Sequence, residues 1–234
     1  MIAAVINAVL VLVGSAIGLA AKNHIGEKFS QTVMAALALC VAVIGITSAI
    51  ETDNIIIVIV CLVIGAVIGE LIAIERHIDN LGARLKKKFD KNEDSRFTEG
   101  FVSASLLFCV GSMAIMGSME AGINHNYTII ISKSVIDAVT AITLAATMGV
   151  GVMFSAAIIL IYQGLITLLA AWVGPYLSEA VVTEMSAVGG VMIMGIAVNM
   201  LALTEQKLRV GNMLPAMFLP IGVVPLVNWL GTLF

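Results

Sequence analysis

Charged residues are scarce in this chain of 234 residues. Lys, Arg, Asp and Glu make up 12% of it, whereas 60% of the residues are hydrophobic and the mean hydropathy is +1.09. Soluble globular domains carry about 25% charged residues. The composition therefore excludes a soluble domain and predicts a helical protein that crosses a membrane several times.

Cysteine and histidine are also rare, which excludes several kinds of site. Cys40, Cys61 and Cys109 all lie inside apolar stretches, where cysteine is typical of a small buried side chain and not of a disulfide. The three histidines lie in polar connections, and no His/Cys cluster has the spacing of metal ligands. Because no nucleophile–base pairing, HExxH or phosphate loop is present, we expect no enzymatic activity, no cofactor and no metal.

Apolar segments of about 20 residues, the length that crosses a bilayer as a helix, follow one another along the chain. They predict an all-α polytopic bundle of about eight spans, at residues 2–21, 31–50, 55–74, 100–119, 128–173 (two spans divided near 149–151), 183–203 and 211–234. A long polar segment at 75–98 separates the third span from the fourth. Within it the apolar residues recur at helical spacing and predict a surface amphipathic helix over 78–89.

The basic residues predict the orientation of the bundle. Eleven of the twelve Lys and Arg lie in 22–30, 75–98 and 204–210, and Lys133 is the remaining one. Because cytoplasmic loops carry an excess of Lys and Arg, we expect these segments inside and both termini outside. We place the protein in the bacterial inner membrane, with the lipid bilayer as a partner and no nucleic acid; a homo-oligomer stays open.

This orientation suggests an internal symmetry within a single membrane domain. Spans one to three start outside, whereas spans six to eight start inside, which predicts a 3+2+3 plan with inverted repeats. The predicted parts are a first repeat at 1–76, the basic loop at 75–98, central spans at 99–148 and a second repeat at 149–234. We predict helix breaks at Gly149, Gly151, Pro215, Pro220 and Pro225. Inverted repeats with interrupted helices are a common transporter plan.

Polar residues inside the spans are candidates for a binding site. Lys133 and Asp137 lie one helical turn apart in the fifth span, and a charge at mid-bilayer costs roughly 2.5–3.5 kcal/mol on insertion scales. We predict that they form a midmembrane site beside the bent eighth span. The expected polar lining is Asn7, Ser105, Ser112, Ser155, Gln163 and Asn212. The alternative is a structural pair near the outer interface, with Lys133 extending toward water.

Several stretches also carry a family resemblance. They are Val5-Ile-Asn7 with Gly14 and Gly18, the run 99–118, Lys133-Ser-Val-Ile-Asp137, Gln163-Gly164 and the run 211–216. The chain resembles the YqgA/YdfK-like bacterial inner-membrane proteins, a domain of unknown function, over essentially its whole length. The resemblance implies a membrane protein of a kind often called a transporter, without a substrate to carry over.

Three functions remain compatible with these patterns. The first is transport of a small solute or ion by alternating access through the midmembrane site. The second is an ion channel or holin-like pore, because polar helix faces also line pores. The third is a structural or regulatory membrane module that acts on lipid headgroups through the basic segment 75–98.

The expected orientation can be tested by cysteine labelling. In a variant without native cysteines, Lys87→Cys should react with a membrane-impermeant thiol reagent only after the cells are permeabilised. Glu179→Cys, in a loop that we expect outside, should react in intact cells. Labelling of Lys87→Cys in intact cells would show that the orientation is wrong.

Overall fold

A computed structural model of the protein describes residues 1–22, 27–89 and 96–231. Within these ranges all regular structure is helical, which confirms the all-α class. The α-helices are α1 Ile2–Lys22, α2 Glu27–Ile50, α3 Ile55–Ile72, α4 Ile74–Phe89, α5 Phe97–Cys109, α6 Ser112–Ile123, α7 Thr128–Met148, α8 Gly151–Val173, α9 Glu179–Met200 and α10 Pro220–Gly231. A short 3-10 turn spans Gly174–Tyr176, and Val210–Phe218 is a longer 3-10 helix, called here the 3-10 segment.

The helices α1, α2, α3, α7, α8 and α9 are each long and apolar enough to cross a membrane. Two bent pairs, α5 with α6 and the 3-10 segment with α10, raise the number of spans to eight if each pair crosses once. The expectation of a polytopic bundle with about eight spans is therefore confirmed. Helix α4 confirms the predicted surface helix, although the side chains of Ile78, Leu81 and Phe89 lie outside the described residues.

The two bent pairs qualify the predicted spans in different ways. The 3-10 segment and α10 meet at 46°, as the prolines of the last span predict. Pro220 begins α10, but Pro225, predicted as a further break, lies inside it, because one missing N–H is tolerated where the helix continues around it. The fourth span, predicted as one helix over 100–119, is instead divided between α5 and α6 with a 58° bend.

The helices pack as two groups. Helices α1, α5, α6, α7 and α8 form one group, and α2, α3, α9, α10 and the 3-10 segment form the other. Helix α4 contacts both α5 and the 3-10 segment and so connects the groups at one end. The first block of the predicted inverted repeat, 1–76, contributes helices to both groups. The repeat stays a prediction.

Small residues permit the closest approach within each group. A side chain at Gly14 or Gly18 of α1 would overlap the backbone carbonyl of Ala138 or Ile142 on α7. Backbones that approach this closely are typical of membrane helix interfaces rich in glycine. Between α7 and α8 the chain turns at Gly149, whose φ of +89° favours glycine, so the predicted break is confirmed.

Glu184 anchors the end of the bundle opposite to that turn. It lies near the start of α9 and is 2% exposed. Its carboxylate accepts hydrogen bonds from the Thr52 hydroxyl at 2.7 Å and from the backbone N–H groups of Asp53 at 3.0 Å and Asn54 at 3.1 Å. These donors precede α3, whose N-terminus favours a negative charge.

We expect Glu184→Ala to lower the free energy of unfolding by about 2–3 kcal/mol, because hydrogen bonds to a charged group are lost and buried donors remain unpaired. Glu179→Ala, an exposed position in the first turn of the same helix, is the matched control and should change stability by less than about 0.5 kcal/mol. Thermal unfolding of the purified protein in detergent measures both. Equal effects of the two substitutions would contradict the anchoring role.

Candidate functional site

The charged pair predicted from the sequence is buried inside the first group of helices. Lys133 is 6% exposed and Asp137 is 5% exposed, and the ammonium of Lys133 forms an ion pair with the Asp137 carboxylate. Asp137 is close to the middle of the 21-residue helix α7. The ammonium is directed to Asp137 inside the bundle and not toward water, and a purely structural pair stays an alternative to a binding site.

The second partner of Lys133 comes from a broken helix. Its Nζ donates a hydrogen bond to the Phe108 carbonyl oxygen at 2.8 Å. That carbonyl is near the end of α5, where the chain leaves the helix through Val110 and through Gly111 with a φ of +112°. The last carbonyls of a helix lack partners within it and carry partial negative charge, so an ammonium is favoured there.

Two amide side chains complete the cluster around Asp137. Asn7 of α1 and Gln163 of α8 are fully buried. The Asn7 Nδ2 group donates to Asp137 Oδ2 at 3.0 Å and to Gln163 Oε1 at 3.1 Å. We call Asn7, Lys133, Asp137 and Gln163 the buried network. It joins three helices and receives the Phe108 carbonyl from a fourth.

The buried network has unused hydrogen-bonding capacity. Asn7 Oδ1 and Gln163 Nε2 have no hydrogen-bond partner in the structure. Most buried polar groups in proteins are paired with protein or with ordered water, so two unpaired amide atoms beside a carboxylate are unusual. The arrangement offers one acceptor and one donor to a small polar or charged species.

Ser105, Ser155 and Asn212, which we also predicted as lining residues, form their hydrogen bonds outside this network. The Ser105 hydroxyl donates to the Phe101 carbonyl at 2.6 Å, and the Ser155 hydroxyl donates to the Val152 carbonyl at 2.7 Å. Both hydroxyls are thus paired within their own helices. Asn212 lies in a charged cluster at one end of the bundle, and the side chain of Ser112 lies outside the described residues.

The last span does not hydrogen-bond to the charged pair either, as far as the described residues extend. Its residues Leu214, Met217 and Phe218 line an apolar cavity of about 260 Å³ against α5 and α8. This differs from the predicted midmembrane site, in which that span lines the pair directly. The carbonyl of the broken α5 takes the place that we had assigned to the last span.

A larger, polar cavity of about 410 Å³ opens at the end of the bundle that holds α4 and the 204–210 connection. We call it the vestibule. Val102 and Leu106 line both the vestibule and the apolar cavity. Cys109 and Tyr162 also line the apolar cavity. In the chain, Cys109 directly follows Phe108, and Tyr162 directly precedes Gln163. The two cavities therefore adjoin each other along α5.

Ion pairs and hydrogen bonds surround the vestibule. Lys207 lies 3.4 Å from Glu99, and Arg209 lies 2.6 Å from Glu70. Asn212 donates to Glu70 at 2.5 Å and accepts from the backbone N–H of Glu75 at 2.7 Å. Lys207 and Arg209 thus tie the 204–210 connection to α5 and α3, and Asn212 ties the 3-10 segment to α3 and α4.

Sequence reasoning missed the break at Val110–Gly111 and the role of the Phe108 carbonyl. The pair Gly111-Ser112 was the available signal, because Gly/Ser pairs are among the causes of helix kinks. It also missed Tyr162, whose hydroxyl is buried and has no hydrogen-bond partner in the structure. A tyrosine among apolar residues gives no pattern from which that could be foreseen.

Comparison with known proteins identifies the family. A model described as "Protein of unknown function (DUF554)" matches residues 2–225. The chain belongs to the DUF554 family. It is 29% identical over 238 residues to the uncharacterized membrane protein YdfK of Bacillus subtilis (strain 168), with 100% of both chains covered. It is 27% identical over 218 residues to the uncharacterized protein YqgA of Escherichia coli (strain K12), with 92% of each chain covered.

This membership confirms the resemblance proposed from the sequence. No solved structure matches the chain. The names of both DUF554 relatives leave their activity open, and the name of YdfK places that protein in a membrane, as the apolar helices place this one. The function therefore has to be argued from the site itself.

The mutual dependence of Lys133 and Asp137 can be measured as stability. Lys133→Met or Asp137→Leu should each lower the free energy of unfolding by about 3–5 kcal/mol, because each leaves one buried charge without its counter-ion. The double variant should be more stable than either single variant. Ser132→Ala, an exposed position on the same helix, is the control for thermal unfolding in detergent. Additive losses in the double variant would contradict the buried ion pair.

Proposed function

We propose that this protein transports a small ion or solute across the membrane and binds it at the buried network. One observation carries the proposal: four helices converge on a buried carboxylate beside two amide atoms that lack partners. A purely structural cluster gains nothing from unpaired buried groups, which cost about 1–3 kcal/mol each. Ionisable residues inside a membrane are typical of ion and substrate pathways.

The broken spans support alternating access. In many transporters the binding site lies where helices are interrupted near the middle of the membrane. Here the interruption after α5 supplies a ligand to the network, and the bent last span lines the cavity next to it. A change of either bend would open or close the space between the vestibule and Gln163.

The buried network is closed in this structure, which fits a transporter and a resting pore alike. Its four side chains are at most 6% exposed, so water does not reach them freely in this conformation. A pore at rest would be closed in the same way, and transport rate distinguishes the two. A transporter saturates with substrate and moves each molecule through a conformational cycle, whereas an open pore passes ions at rates that far exceed such a cycle.

The experiment compares the wild type with Asp137→Asn, which keeps the shape of the side chain and removes its charge. A panel of alkali metal cations, small anions, amines and amino acids is first tested for thermal stabilisation of the purified protein. Uptake of each stabilising species is then measured in vesicles. We expect saturable uptake by the wild type and a loss of at least tenfold in Asp137→Asn.

Thr140→Ala is the matched control for this experiment. Thr140 lies three residues after Asp137 on α7. Its hydroxyl donates a hydrogen bond to the carbonyl of Ile136 in the same helix. It should keep wild-type uptake. Wild-type uptake by Asp137→Asn would contradict the proposed site, and stabilisation without any uptake would favour a structural or regulatory module.

A further inference from the structure

We infer that the species bound at the buried network is a monovalent cation, and that the Lys133 ammonium occupies its place in the structure. This inference rests on the proposed function and names the class of substrate. It starts from the atoms that surround Nζ, which are oxygens contributed by two different helices.

The ammonium of Lys133 is held by oxygen atoms of the kind that bind cations. Nζ is held by the Asp137 carboxylate and by the Phe108 carbonyl oxygen at 2.8 Å. Asn7 Oδ1 has no partner, and the amide of Asn7 already contacts the same carboxylate oxygen as the ammonium. Carboxylate and backbone carbonyl oxygens, the two that hold Nζ, are ligands that hard metal cations prefer. The position of Nζ therefore has the chemistry of a cation site.

The net charge of the buried network depends on one positive group. With the ammonium in place the buried network has no net charge, and without it the network carries the single negative charge of Asp137. A monovalent cation restores neutrality, whereas a divalent cation would leave an excess buried charge. The described residues contain no group of three or more His, Cys, Asp or Glu that could hold a metal ion, which also disfavours a divalent cation.

The charges around the buried network disfavour an anion there. Lys133 is the only Lys or Arg between residues 97 and 206. Its ammonium is already paired with Asp137, so an anion would meet a neutralised lysine and the repulsion of a carboxylate. The end of α5 adds further negative potential at Phe108, because the C-terminus of a helix carries partial negative charge. The field at the network therefore attracts cations.

The tethered ammonium has a clear use in a transport cycle. A carboxylate buried in the bundle without a counter-ion would destabilise the protein, because its charge would be uncompensated. Lys133 has a flexible four-carbon stem, so its ammonium can leave when a cation enters and return when the cation departs. The ion pair of Lys133 with Asp137 then keeps the site neutral between transport events.

Removal of the Lys133 ammonium, which would compete with a bound cation, tests the inference. Lys133→Ala, Lys133→Ala/Asp137→Asn and the wild type are compared in sodium, potassium and lithium chloride at matched ionic strength, with N-methylglucamine chloride as the reference salt. We expect at least one alkali cation to raise the Tm of Lys133→Ala by roughly 5–10 °C at about 100 times its Kd. The wild type should bind that cation at least tenfold more weakly, and the double variant should show no shift.

Three results would overturn the inference. They are no stabilisation of Lys133→Ala by any of these cations, equal stabilisation of all three proteins, or a shift that the double variant retains. Should Lys133→Ala fail to fold in every salt, binding of radioactive sodium and rubidium to the wild type and to Asp137→Asn decides instead. Binding that Asp137→Asn loses supports the cation site, and no binding to the wild type overturns it.

The outcome separates this inference from the proposed function. If the ligand panel yields only an anion or a neutral solute whose uptake requires Asp137, the protein is a transporter and the cation class is wrong. If alkali cations stabilise Lys133→Ala through Asp137 but the wild type moves none across vesicles, the cation site stands and transport is wrong.

Discussion

A lysine and an aspartate paired inside lipid-spanning helices impose the strictest constraint on this structure. Moving each ion out of water costs several kcal/mol, and their attraction offsets this only when the remaining hydrogen-bonding positions are also filled. The close α1–α7 contact brings Asn7 to the carboxylate, and the break after α5 frees the Phe108 carbonyl for the ammonium. Gly14 and the Gly111 turn therefore serve the same requirement as the charges themselves.

Glu184 shows what a structural buried carboxylate looks like in the same protein. Its two oxygens accept three hydrogen bonds from the turn before α3, and the N-terminus of that helix stabilises its charge. Asp137, by contrast, relies on the ammonium of Lys133 and on the amide of Asn7, which keeps an unpaired oxygen. The first site needs nothing more, whereas the second has room in its hydrogen bonding for another species.

The sequence predicted what depends on local pattern and missed what depends on where chain ends meet. The apolar spans and the Gly149 turn follow from hydropathy and glycine. Lys133, Asp137, Asn7 and Gln163 stand out in the sequence because polar residues are rare in lipid, and the structure buries all four together. A backbone carbonyl has no signature of its own, so the contribution of Phe108 could not be foreseen. Ser105 and Ser155 look like lining residues in the sequence, but serine in a membrane helix can satisfy its hydroxyl within that helix.

In the proposed transport, the broken span α5–α6 belongs both to the cavities through which the substrate would enter and to the site that would bind it. Helix α5 contributes Val102 and Leu106 to the vestibule and to the apolar cavity, and the same helix ends in the carbonyl that holds Lys133. A change in the 58° bend would therefore alter the route to the network and the oxygen ligands within it at the same time. Elements with two discrete arrangements are the means by which proteins couple distant events. For the proposed transport, we expect this bend, more than the prolines of the last span, to be the place where opening and binding are coupled.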